Sequence, residues 1–223
     1  KGCRDKMTDW CEKVDVPPRT TNESVTVSSL CCMGWRPVML TGLFRDMLIR
    51  HFSTALSIEQ PELRRYLWQD NERSSILIES VHRYRGDLVG IRPAILVKRN
   101  AMTSQKLFIN DLSGRNEKGD EEFTTTWVGS HTIFCIHGTG AGVEILATEV
   151  QRELTQFAPV VRQYLNLLKY AVVEEGAISI LEEASQNFVV PITVGWAYTE
   201  NWRLKYEALP LRRMSLSTIL DIG

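Results

Sequence analysis

Phe188-Val189-Val190-Pro191-Ile192-Thr193-Val194-Gly195-Trp196-Ala197-Tyr198 is the stretch that decides how this chain folds. Phe188, Val190, Ile192, Val194, Trp196 and Tyr198 are large and apolar, and Val189, Pro191, Thr193, Gly195 and Ala197 alternate with them. A period of two places every large residue on one face of a strand, so residues 187–198 read as a strand lying on a core. Pro191 has no N–H to give a ladder, which predicts an edge or a bulge at that point.

Other strands lie upstream. Phe123-Thr124-Thr125-Thr126-Trp127-Val128 is rich in β-branched and aromatic residues, and the reading extends it to a long strand over 122–136. Ile76-Leu77-Ile78 and Ala94-Ile95-Leu96-Val97 are short apolar runs bounded by charges and by Gly86, Gly90 and Pro93, as is typical of strands. Residues 177–182 read as one more strand, and Val25–Leu30 as a short one. Ser113-Gly114-Arg115-Asn116-Glu117-Lys118-Gly119-Asp120 reads as a polar loop.

Two helical regions interrupt the strands. Leu40, Leu43, Phe44, Met47, Leu48 and Phe52 recur at three- and four-residue steps and predict a helix over 40–56, with Thr41 as its cap. A short second helical piece is expected over 62–68, beyond Pro61. Val143, Leu146, Val150, Leu154, Phe157 and Val161 trace one face of a longer helix, with Glu149, Arg152 and Glu153 off it. Pro159 predicts a kink or break, after which the helix runs on to about residue 168. The expected fold is therefore α+β: a mixed or antiparallel sheet with a long kinked helix packed on one face. Residues 1–38 are expected to form an extended arm, 39–206 the folded domain and 207–223 a C-terminal tail.

At 223 residues, with 43% hydrophobic and 24% charged side chains, the chain has the balance of a globular protein and needs neither disulfides nor metal to build a core. No run of about 18 apolar residues predicts a membrane-spanning helix. Lys1-Gly2-Cys3-Arg4 has neither a signal-peptide core nor an initiator Met, as expected of a chain that begins within a longer frame or after processing. Cys3, Cys11, Cys31, Cys32 and Cys135 are odd in number and contain no C-x-x-C pair, so reduced thiols are expected and no cofactor or metal is read from them.

The net charge of −1 conceals a division along the chain. Residues 1–44 carry +1, 45–106 carry +4, 107–200 carry −8 and 201–223 carry +2. A basic stretch followed by an acidic one is suited to partners or to self-assembly.

Four features of the sequence are candidates for chemistry. Ile136-His137-Gly138-Thr139-Gly140-Ala141-Gly142 resembles the oxyanion loop of an α/β-hydrolase, but G-x-S-x-G is absent and no histidine follows His137. The same glycines fit neither dinucleotide nor P-loop spacing and read as a strand-to-helix turn. His51, His82, His131 and His137 form no evident constellation and read as solvated or capping residues. Arg64, Arg65, Arg73, Arg83, Arg85, Arg92, Lys98 and Arg99, interleaved with Tyr66, Trp68 and Tyr84, have the residue types of a nucleic-acid surface, diluted by Glu62, Asp70, Glu72, Glu79 and Asp87. No complete active site is read, so an enzyme is not expected.

The element order carries a resemblance over about residues 40–206. Gly42-Leu43-Phe44-Arg45-Asp46-Met47-Leu48 opens it, and Pro93-Ala94-Ile95-Leu96-Val97 leads to the long strand ending Ile133-Phe134-Cys135-Ile136. Glu144-Ile145-Leu146-Ala147-Thr148-Glu149-Val150, the kinked helix, and Phe188-Val189-Val190-Pro191-Ile192-Thr193-Val194 through Trp196 and Trp202 complete it. This order resembles the tail terminator and neck proteins of long-tailed bacteriophages, in texture and without a signature motif. The resemblance implies a structural virion protein, assembled in the host cytoplasm, that forms a homo-hexameric ring. Such a ring caps the tail tube and joins it to the neck or connector protein. It implies no catalytic residue and no cofactor, and DNA passing through the lumen without specific binding. The N-terminal arm and C-terminal tail depart from smaller members.

A ring closes through heterologous contacts, so opposite faces of one subunit must complement each other. Arg92, Lys98, Arg99 and Arg115 on a basic side, and Glu121 and Glu122 on an acidic one, are the interface residues this implies. Glu121, Glu122 and the 113–120 loop are expected to approach the tube or lumen. Two other classes stand beside this reading: a head-completion or connector adaptor of the same virion, and a cytoplasmic enzyme using the 137–142 glycine loop.

Overall fold

Val190, Ile192, Val194, Trp196 and Tyr198 are all buried in the main core, so the alternation read from residues 188–198 marks a core-facing strand. A computed structural model describes residues 25–28, 36–71, 74–81, 93–106, 112–115, 121–181 and 186–206. Within them lie eight strands, β1 (Val25–Ser28), β2 (Leu77–Ser80), β3 (Ala94–Gln105), β4 (Leu112–Arg115), β5 (Glu121–His137), β6 (Lys169–Glu175), β7 (Ser179–Ile180) and β8 (Phe188–Tyr206). Three α-helices join them: α1 (Arg36–Phe52), α2 (Gly140–Gln156) and α3 (Ala158–Tyr164). The class is α+β with a mixed sheet. Its strands run in the order β1-β8-β5-β3-β2, with β4 on β5 and with β6 and β7 on β8. β2 and β3 are parallel, whereas β3 pairs antiparallel with β5, and β6 with β8.

The described residues fall into two compact units. The larger draws on described residues between 36 and 105 and between 126 and 200, and the smaller on 25–28, 106, 112–115, 121–125 and 201–206. In the larger unit the buried side chains of α1, namely Leu40, Phe44, Leu48 and Phe52, follow one another at four-residue steps. They meet Ile95, Val97, Ile133 and Cys135 from the sheet, with Leu146, Val150 and Leu154 from α2. Burying one such side chain contributes roughly 1.5–3 kcal/mol, so this cluster supplies most of the drive to fold. The alternate residues of the same strands, Ala94, Leu96, Ile136 and Val189, form a smaller apolar cluster in which no helix takes part.

Several local expectations change. α1 begins at Arg36, so Thr41 is not its cap but lies inside it, its hydroxyl donating to Pro37 O at 3.0 Å. Beyond Pro61 there is one 3-10 turn, Pro61–Leu63, in place of a helix over 62–68. The helical stretch breaks beside Pro159 as expected, Phe157 closing α2 and opening α3 with Pro159 in its first turn, where its missing N–H removes no bond, but α3 ends at Tyr164 and not near residue 168. Part of the 113–120 loop is strand, since β4 pairs with β5 through Leu112↔Phe123, Gly114↔Glu122 and Arg115↔Glu121. β6 stands where no strand was read, its ladder with β8 shifting register between Val172 and Glu174, opposite Thr193. Pro191 lies in β8 between its ladder with β6, which reaches Ile192, and its ladder with β7, which reaches Val189, and its carbonyl accepts from Gly176 N, 2.8 Å away. The expected arm over 1–38 falls outside the described residues except for 25–28 and 36–38, and the expected tail, 207–223, falls outside them entirely.

Candidate functional site

The histidines on described residues are buried and bonded rather than solvated. His131, on β5, is fully enclosed between β8 and α1. Trp196 Nε1–H donates to His131 Nδ1 at 2.8 Å, so Nδ1 carries no proton and Nε2 does. Nε2–H then donates to Thr41 Oγ1 at 2.8 Å, and that hydroxyl donates to Pro37 O. This is a directed chain of three bonds from β8 through β5 into the first turn of α1, and it requires neutral imidazole. Burial, with the charge of Arg99 nearby, lowers the His131 pKa from 6.5 to about 4, in accord with that tautomer. The Trp196 ring stacks on Tyr198 at 5.6 Å, and the Arg36 guanidinium lies 5.0 Å over the Tyr198 ring. Burial and the charge of Glu200 raise the Tyr198 hydroxyl to about 12.

The glycine turn at 137–142 has a structural account. Thr139 is the N-cap of α2, its hydroxyl accepting from Gly142 N at 3.2 Å. Thr139 N–H donates to His137 Nδ1 at 3.1 Å, and His137 Nε2 reaches Tyr66 Oη at 3.3 Å. The His137 ring therefore lies against Gly142, where a Cβ would come 2.3 Å from Nδ1. Gly142 makes room for that ring, whereas a Cβ at Gly140 would meet nothing within 4 Å. Burial, with the charge of Arg65, lowers the His137 pKa.

His51, in the last turn of α1, meets two carboxylates of α2. Its Nε2 lies 2.8 Å from Glu149 Oε1 and its Nδ1 lies 3.1 Å from Glu153 Oε2. Glu149 is 0% exposed, and the same Oε1 also accepts from Arg152 at 2.7 Å and from the amide of Glu59 at 3.0 Å. Glu149 and Glu153 were read as lying off the packed face of α2, and the structure buries both. Burial alone would lower the His51 pKa, but hydrogen bonds and charge from Glu153 and Glu149 outweigh it and raise the value above 6.5.

The interface candidates on described residues divide between the two units. Arg92, like His82, lies outside the described residues. Lys98 and Arg99 are exposed neighbours on β3, opposite Thr132 and His131 of β5, so they point to opposite faces of the sheet. Arg115, Glu121 and Glu122 belong to the smaller unit, on the β4–β5 pair. There Arg115 bonds to Glu121 within one chain, and Ser113 Oγ donates to Glu122 O at 3.0 Å. Beside them Phe123 stacks on Trp202, centroids 4.2 Å apart, and Thr124 Oγ1 donates to Asn201 Oδ1 at 2.9 Å.

Cys135 is buried and free, and burial pushes its thiol well above the usual range. Among the described residues no group of His, Cys, Asp and Glu has the geometry to hold a metal ion, and no helix is long and apolar enough to cross a membrane. Comparison of the chain with protein-family models and with curated proteins finds no match to either. The residues that sequence reading missed are Thr41, Glu149 and Glu153. Only the four-residue spacing of Glu149 and Glu153, which puts both on one side of α2, signals them in advance.

Proposed function

We propose that this chain is a structural component of a tailed-phage virion, a tail terminator whose ring caps the tail tube and joins it to the neck. One observation carries the self-assembly at its centre. Of the ten large apolar side chains exposed among the described residues, seven lie in one segment: Phe157, Val160, Tyr164, Leu168, Val173, Ile178 and Ile180. Exposed apolar side chains this frequent along one stretch of chain favour a contact surface there over a solvated one. The segment belongs to the larger unit and carries the exposed carboxylates Glu174 and Glu175. A second copy presenting exposed basic residues such as Lys98 and Arg99 meets those carboxylates across a head-to-tail contact, and such contacts close into rings.

The test has two stages. Mass measurement in solution at rising concentration, followed by electron microscopy, should give a closed six-subunit ring. Adding that ring to a polymerising tail tube protein should halt tube elongation. A protein that stays monomeric at all concentrations and leaves tubes growing sinks the proposal. A ring that binds portal and not tube assigns the chain to the connector instead.

A further inference from the structure

We propose that His51, Glu149 and Glu153 form a pH-operated latch: imidazolium at His51 pins the end of α1 and the loop that follows it to α2, and loss of its proton releases them. The geometry carries this. Both ring nitrogens face carboxylate oxygens, Nε2 at 2.8 Å from Glu149 and Nδ1 at 3.1 Å from Glu153. A carboxylate only accepts, so both nitrogens must donate, and only the charged ring has two N–H groups. When the ring is neutral, one nitrogen presents a lone pair to a buried oxygen, and one of the two bonds becomes a repulsion.

The surrounding charges sharpen the response. The charged groups bonded to His51 are Glu149 and Glu153 from α2, and Glu149 is bonded in turn to Arg152 of α2 and to the Glu59 amide of the loop. Arg152 bonds both Glu149 and Glu59. With His51 charged, the cluster of His51, Arg152, Glu59, Glu149 and Glu153 holds two positive and three negative groups. With His51 neutral it holds one and three, around a fully buried carboxylate whose Oε2 has no partner. Charge imbalance of that kind is costly in a desolvated site. Elsewhere on α1, Arg45 pairs with Glu79 at 3.1 Å and with Asp46 at 3.7 Å.

What moves on release is defined by shared partners. The oxygen that His51 bonds is the one holding the Glu59 amide at 3.0 Å, and Phe52 O holds the Trp68 amide at 2.9 Å. Losing the latch therefore loosens residues 53–60 without unfolding the sheet. The direction is fixed: the folded-state pKa is raised, so the latch is closed at and below the unfolded value of 6.5 and opens as pH rises through the raised value.

The experiment uses the whole protein. His51 ring nitrogen shifts are followed by NMR from pH 5 to 9, together with hydrogen exchange of amides 53–60 corrected for its intrinsic pH dependence. The expected result is imidazolium persisting above pH 6.5, and protection at Glu59 falling about tenfold for each unit by which the folded pKa exceeds the unfolded one. The fall should vanish in His51→Gln. Should that variant not fold, the wild-type titration decides alone. Titration of His51 at or below 6.5, or exchange at Glu59 that does not change across it, overturns the proposal, as does an equal fall in His51→Gln.

Discussion

Replacing Gly129 by alanine tests the packing of β5 against β8 at its tightest point. A Cβ there would lie 2.5 and 2.6 Å from Cη2 and Cζ2 of Trp196, and 3.0 Å from the Cβ of Met102. Ordinary carbon contacts sit at roughly 3.5–4.0 Å, so the ring must retreat by about 1 Å. It has nowhere to go freely. Trp196 is buried, stacks on Tyr198, and is tied through Nε1 to His131 at 2.8 Å. A retreat of that size stretches the bond past ~3.5 Å and leaves a buried N–H without a partner, which costs about 1–3 kcal/mol. Overpacking adds about 1–3 kcal/mol, and the reduced freedom of the unfolded chain returns about 0.4–1 kcal/mol. Gly129→Ala should therefore destabilise by about 1–5 kcal/mol, centred near 3, read as a lower midpoint in urea followed by far-UV circular dichroism. The clashing atoms belong to the six-membered ring of the indole. In a Trp196→Phe background, itself less stable, the same alanine should cost under about 1 kcal/mol, a coupling large enough for a double-mutant cycle to resolve. An alanine that costs less than about 0.5 kcal/mol in the parent, or equal costs in both backgrounds, refutes the reasoning.

Three further outcomes follow from the structure. Because His131 is held at about 4 against 6.5 unfolded, its contribution of about 3 kcal/mol is present above pH 6.5 and is lost as pH falls through 4; His131→Phe should flatten that part of the pH–stability curve measured by denaturant titration. Gly142→Ala should lower the melting temperature by disturbing His137 and the Thr139 cap at a cost of about 2 kcal/mol, whereas Gly140→Ala, which meets nothing, should leave it unchanged or raise it. Val173→Arg, at a side chain 65% exposed, should abolish self-association in sedimentation while shifting stability by less than about 0.5 kcal/mol.

What could be read from the sequence was whatever repeats locally. The alternation from Phe188 to Tyr198, the β-prone run at 123–128 and the four-residue steps of α1 each state their own geometry. β6 was lost because Lys169-Tyr170-Ala171-Val172-Val173-Glu174-Glu175 is broken by a register shift at Val173, so its polar and apolar residues keep no steady period. β4 was lost because a strand of Leu112-Ser113-Gly114-Arg115 has the composition of a turn, and only its pairing with β5 makes it a strand. The buried polar groups were illegible for a different reason. Glu149 and Glu153 look like a solvated helix face until His51, almost a hundred positions earlier, is set against them. Likewise Thr41, His131 and Trp196 become one hydrogen-bonded chain only once three distant elements are packed.

The position of β8 bears on how the protein is made. It is the last described element, yet β1, β5, β6 and β7 all pair with it, and its Val190, Ile192, Val194, Trp196 and Tyr198 close the main core. At ribosomal rates of about 5–20 residues per second, the roughly 150 residues between the start of α1 at Arg36 and that of β8 at Phe188 take many seconds to emerge. Over that interval Leu40, Phe44, Leu48 and Phe52 gain the strands β2, β3 and β5 and then α2, but still lack the closing strand. A nascent chain in that state is a natural client for chaperones that hold apolar segments, and its native fold waits on the translation of β8.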